Sequence, residues 1–92
     1  MDDFAEKLIA LRRDLHRHPE LGFQETRTKA IVAEHLRDLG LEVHEGVGVV
    51  GILKSGKGNR AIGLRADMDA LPIQEQSRHD YASTTPGGMH AC

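Results

Sequence analysis

Apolar side chains at Phe4, Leu8, Leu11 and Leu15 recur at i, i+4, i+7 and i+11, so the chain's first stretch predicts an amphipathic helix. Asp2 and Asp3 suit its positive N-terminal end, and Arg12, Arg13 and Arg17 suit its later turns. Pro19 disfavours helical geometry at His18 and should close the helix near residues 16–18. A short connector over 19–23 follows, with Gly22 available for a turn. A second helix is expected from Gln24 to Leu39, burying Ala30, Ile31, Leu36 and Leu39, with Gly40 as its left-handed C-terminal cap.

The pattern then changes period. Leu41-Glu42-Val43-His44 alternates like a half-buried strand, and Val47 to Leu53 is apolar with Gly48 and Gly51 interleaved. Ser55-Gly56-Lys57-Gly58-Asn59 reads as a hairpin-type loop, and Arg60 to Ala66 as a third strand. From Pro72 onward the chain reads as loop. The expected fold class is therefore α/β: two N-terminal helices followed by strands, with the helices packed on a sheet.

Length and charge narrow the functional classes. Ninety-two residues make one small domain at most. Residues 1–46 carry seven basic and ten acidic side chains, and 47–92 carry five and four, so no basic stripe points to nucleic acid. No basic, apolar leader opens the sequence and no apolar run is long enough to span a membrane, which makes the cytoplasm the default. The single cysteine cannot form an internal disulfide and fits a reducing compartment.

Chemistry concentrates in the second half. Asp67 and Asp69 are two apart, so in an extended segment they share a face with Arg65. They could ligate a metal or orient a ligating group, or form a solvated acidic loop in which Arg65 neutralises one acid. His90 and Cys92 follow Gly87-Gly88 at the same spacing. An imidazole and a thiolate suit a transition-metal site, although a free thiol beside an exposed histidine would read the same way. A Cys/His nucleophile pair lacks an orienting third group. His16 and His18 fall about 200° apart on a helix and cannot chelate one ion; they fit partners for the helix's last carbonyls. His35 and His44 are isolated, and Ser55-Gly56-Lys57-Gly58 lacks phosphate-loop spacing.

Three segments together carry a resemblance. Leu11 to Glu25, with its Leu15-His16-Arg17-His18-Pro19-Glu20-Leu21-Gly22-Phe23 core, is followed by Gly63 to Ile73 and then by Gly88-Met89-His90-Ala91-Cys92. In this order and approximate spacing they resemble the M20 metallopeptidase family, in its amidohydrolase branch of hippurate hydrolases, N-acyl-amino-acid amidohydrolases and auxin-conjugate hydrolases. The resemblance covers the whole chain.

It implies a longer two-domain, homo-oligomeric parent, with residues 1–92 as the N-terminal part of the α/β catalytic domain. It also implies hydrolysis of N-acyl or N-aroyl amino acids by a water activated at a divalent metal (Zn, Mn, Ni or Co). Cys92 maps onto a metal ligand. Asp69 keeps the position of the acid that orienting chemistry requires, and Asp67 stands where the wider family has a histidine ligand. The glutamate base and later histidine ligands have no counterpart here, so the fragment alone is expected to be inactive. A non-catalytic α/β module is the competing reading.

Overall fold

The computed structural model describes residues 2–91; Met1, Cys92 and the side chain of Asp2 lie outside the described residues. Four elements follow in order: α1 (Asp2–Arg17), α2 (Thr26–Asp38), β1 (Glu42–Glu45) and β2 (Val49–Ile52). This is the expected order of two helices and then strands. β1 and β2 form an antiparallel hairpin in which Glu42 faces Ile52 and Glu45 faces Val49. Its turn is closed by the amide of Gly46 donating to the carbonyl of Gly48 at 2.9 Å. The sheet lies against α2. Leu36 and Leu41 approach Gly51 so closely that a Cβ there would meet their methyl groups at 3.1 and 3.2 Å.

Both helices end as the sequence suggests. α1 stops at Arg17, two residues before Pro19. At the end of α2, Gly40 takes φ +84°. Its amide donates to the carbonyl of Arg37 at 2.9 Å, and the amide of Leu41 donates to that of Leu36 at 3.1 Å. That paired reach-back is the Schellman arrangement, which needs a left-handed residue and favours glycine.

Two expectations fail. The buried face of α2 is set by Thr28 and Ala33, whereas Ala30 and Leu39 are exposed and Ile31 and Leu36 are only half-buried. The sequence pattern marks apolar positions, but burial also depends on what covers each one: the hairpin packs on Leu36 and leaves it half-buried, while Ala30 and Leu39 stay exposed. The connector does turn at Gly22, as expected, with Phe23 beside it taking the left-handed φ of 64°. Finally, residues 60–66 form no strand. Ile62 and Leu64 are 92% and 96% exposed, and the segment has no hydrogen-bonded neighbour. A strand exists only as part of a ladder, so strand propensity without a pairing edge leaves an irregular segment. Residues 55–59 consequently join no hairpin.

Candidate active site

The site is built by short backbone bridges. Leu21 pairs in parallel with Ala70, and Leu71 pairs antiparallel with Met89. The amide of Ala70 donates to the Glu20 carbonyl at 2.7 Å. Leu71 and Met89 exchange amide-to-carbonyl bonds at 2.8 and 3.0 Å. The segment carrying Asp69 is thus clamped between the connector before α2 and the segment carrying His90. All three motifs of the sequence meet here.

The connector is held by its own glutamate. The carboxylate of Glu20 accepts the amides of Arg27 at 3.0 Å and Thr28 at 2.6 Å, the free donors of α2's first turn. The residue in the N-cap position, Glu25, makes no side-chain cap. Burial works to raise the Glu20 pKa, but the two amides outweigh it and hold the carboxyl below its ordinary value. Nearby, Arg27 places one guanidinium nitrogen 2.9 Å from both oxygens of Asp14.

A cleft of about 450 Å³ opens beside this junction. Leu8, Leu11 and Leu15 of α1, Val32 of α2 and Met68 supply its apolar wall, and His16, Asp67 and His90 its polar groups. Asp67 pairs with Arg65 at 3.0 Å with both side chains well exposed, so the two share a face as the spacing requires and Arg65 does neutralise this acid. Asp69 is placed differently, against the turn. A Cβ on Gly22 would lie 3.9 Å from both an Asp69 and a Glu25 carboxylate oxygen, so glycine leaves room there for two acids.

His90 is half-buried, and its Nε2 is buried with no hydrogen-bond partner among the described residues. Burial pushes its pKa down, the charge of His16 adds to that, and Asp69 pulls against both. Together these bias the ring toward its neutral form. Among the described residues no three His, Cys, Asp or Glu side chains converge as a ligand set. Cys92, the ligand expected from the sequence, lies outside them. The donor types on this wall, imidazole and carboxylate with a thiolate two residues on, nonetheless suit a divalent transition metal, and the orphaned Nε2 marks a spot where polar demand is unmet.

His18 behaves as the sequence suggests, with Nδ1 3.0 Å from the carbonyl of Asp14. His16 does not. Its Nε2 lies 2.8 Å from a carboxylate oxygen of Glu75, 59 residues away. Glu75 carries no periodic or motif signal of such a role, because its His16 partner is 59 residues away; Glu20 lies within a quoted motif, but its reach across seven and eight residues to the first turn of α2 is not a periodic pattern.

No protein-family profile matches the chain. It is 48% identical over 94 residues to thermostable carboxypeptidase 2 of Saccharolobus solfataricus, across 98% of the chain and 24% of that protein. It is 49% identical over 93 residues to the hippurate hydrolase of Campylobacter jejuni, across 98% and 24%. A solved Bacillus subtilis structure, a dinuclear metal binding peptidase from the M20 family, superposes with a TM-score of 0.94 at 42% identity. The chain belongs to the M20 family. That superposition covers 100% of the chain and 27% of the M20 structure, and its α/β architecture is that of the corresponding M20 segment. The chain spans about a quarter of the length of the curated relatives it matches. No helix among the described residues is long and apolar enough to cross a membrane.

Proposed function

We propose that residues 1–92 form the opening part of the catalytic domain of a metal-dependent amidohydrolase acting on N-acyl or N-aroyl amino acids, in a soluble, cytoplasmic, homo-oligomeric parent. The observation that carries this reading is the double bridge, Leu21 to Ala70 and Leu71 to Met89, which draws three separate M20 motifs into one wall. Support also comes from relatives named for hippurate and N-acyl-L-amino acid hydrolysis. In this reading Cys92 ligates the divalent ion and Asp69 orients a group at the site.

When bound, such an ion would polarise an amide carbonyl and acidify a water molecule. The chain's own residues do the rest that falls to this wall. Leu8, Leu11 and Leu15 of α1 make one side of the cleft apolar, burial biases His90 toward its neutral form, and Asp69 acts on that ring electrostatically. The general base is not among these residues, so the segment by itself should not turn over.

The test is hydrolysis of hippurate and other N-acyl amino acids by the complete reading frame encoding this chain, after metal removal and reloading with Zn, Mn, Ni or Co. Metal-dependent release of the amino acid is expected, together with loss of bound metal in Cys92→Ala. A complete frame that binds metal but cleaves no N-acyl amino acid would sink the substrate assignment.

A further inference from the structure

We propose that Glu75 is a positioning residue for the segment that carries His90 and Cys92, acting through His16 on one side and Ser83 on the other. The proposal rests on the reading of Cys92 as a metal ligand. Glu75 lies in an irregular loop, yet its side chain is only 4% exposed. A charged carboxylate is covered at low cost only when donors replace its water. Here they come from three places: His16 Nε2 at 2.8 Å, the Ser83 amide at 2.8 Å and the Ser77 hydroxyl.

Two of these donors lead on toward the site. His16 is in the last turn of α1 and lines the cleft, so its bond to Glu75 fixes that ring beside His90. The hydroxyl of Ser83 donates to the Gly88 carbonyl at 2.6 Å, two residues before His90. Next to it, the amide and hydroxyl of Thr84 both donate to the Arg17 carbonyl at 2.8 Å, closing the loop on the end of α1. The Leu71–Met89 bridge sets the register of the two segments. Glu75 sets the path of the loop between them, and that path decides where the residues after Met89 point. A glutamine would offer one acceptor oxygen in place of two and turn an NH₂ toward a donor. Supporting residues of this kind typically change metal affinity by a factor on the order of 10–100.

The experiment uses the complete reading frame, loaded with Co²⁺, in the variants Glu75→Gln, His16→Leu, His16→Gln and Cys92→Ala. The readouts are the thiolate-to-cobalt absorption band and the Co²⁺ affinity by competition with a chelator, measured well below each variant's unfolding temperature. Cys92→Ala should abolish the band. Glu75→Gln and His16→Leu should keep a band at saturating metal but weaken Co²⁺ binding about tenfold or more. His16→Gln, whose amide can still donate to Glu75, should recover most of that loss. Unchanged affinity in Glu75→Gln, with the band lost in Cys92→Ala, overturns the positioning role and leaves Cys92 as ligand. An unchanged band in Cys92→Ala overturns both. If Glu75→Gln fails to fold, the His16 pair decides: equal affinities for Leu and Gln overturn the proposal, and a tighter Gln variant supports it.

Discussion

The carbonyl of Glu20 accepts the amide of Ala70 at 2.7 Å while the carboxylate of the same residue caps α2, so Glu20 and Ala70 tie helix and site together. A single residue therefore sets both, the start of α2 through its side chain and the neighbour of Asp69 through its backbone carbonyl.

Removing that carboxylate should be felt in stability first. Glu20→Ala leaves the amides of Arg27 and Thr28 without their acceptor, and loss of a helix cap costs roughly 1–2 kcal/mol. Glu20→Gln keeps one acceptor oxygen for one amide and should cost about half as much. Urea unfolding followed by circular dichroism checks this. Equal midpoints for wild type and Glu20→Ala would show that solvent serves these amides as well as Glu20 does.

Gly40 offers a sharper backbone test. At φ +84° an alanine is strained, although a Cβ there would meet nothing within 4 Å. Gly40→Ala should destabilise by about 1 kcal/mol through backbone conformation alone. The reading is a lowered urea midpoint with an unchanged slope. A neutral result would mean that the Schellman turn relaxes to another cap.

These two residues also show how far the sequence could be read. Gly40 was legible because a glycine after an apolar-periodic run has one common structural use, and the stops of both helices were legible for similar local reasons. The spacing of Asp69 and His90 pointed to segments that the fold does bring together, whereas Cys92 lies outside the described residues. The Glu20 cap was not legible, since it comes from the connector ahead of α2 and not from the N-cap position, and the Glu75 hub was not, since tertiary packing brings it to His16. Arg60 to Ala66 failed for the opposite reason. Its local propensity is for strand, but pairing is decided by a neighbouring edge that these residues do not have.

The two acids should separate in mutants of the complete reading frame. Both acids are exposed; Asp69 lies beside Gly22 and acts on His90 electrostatically, whereas Asp67, on the cleft wall, is paired with Arg65. Asp69→Asn should cut turnover by a factor on the order of 10–100. Asp67→Asn should do less, because the Arg65 partner and solvent already screen its charge. Turnover and metal content are compared in both. If Asp67→Asn is as damaging and also releases metal, Asp67 itself contacts the ion and the ranking reverses.

Acid should loosen the Glu75 hub before neutral pH does anything to it. Its carboxyl is lowered from 4.5 to about 2, because the Ser77 hydroxyl, the Ser83 amide and His16 together outweigh burial. The unfolded chain takes up this proton near pH 4.5, while the folded chain resists until about pH 2. Between those values the unfolded state holds more protons, so stability falls as pH falls and the contribution is complete above about pH 5. Glu20, lowered in the same direction, adds to the slope. Glu75→Gln carries no titrating group at that position, so its urea midpoint should change less between pH 5 and pH 3 than the wild type's, with the Glu20 part remaining. The two proteins should differ most at pH 6 and converge toward pH 3. Parallel midpoints across that range would mean that Glu75 titrates alike in the folded and unfolded chains, and its three donors would then not hold it charged.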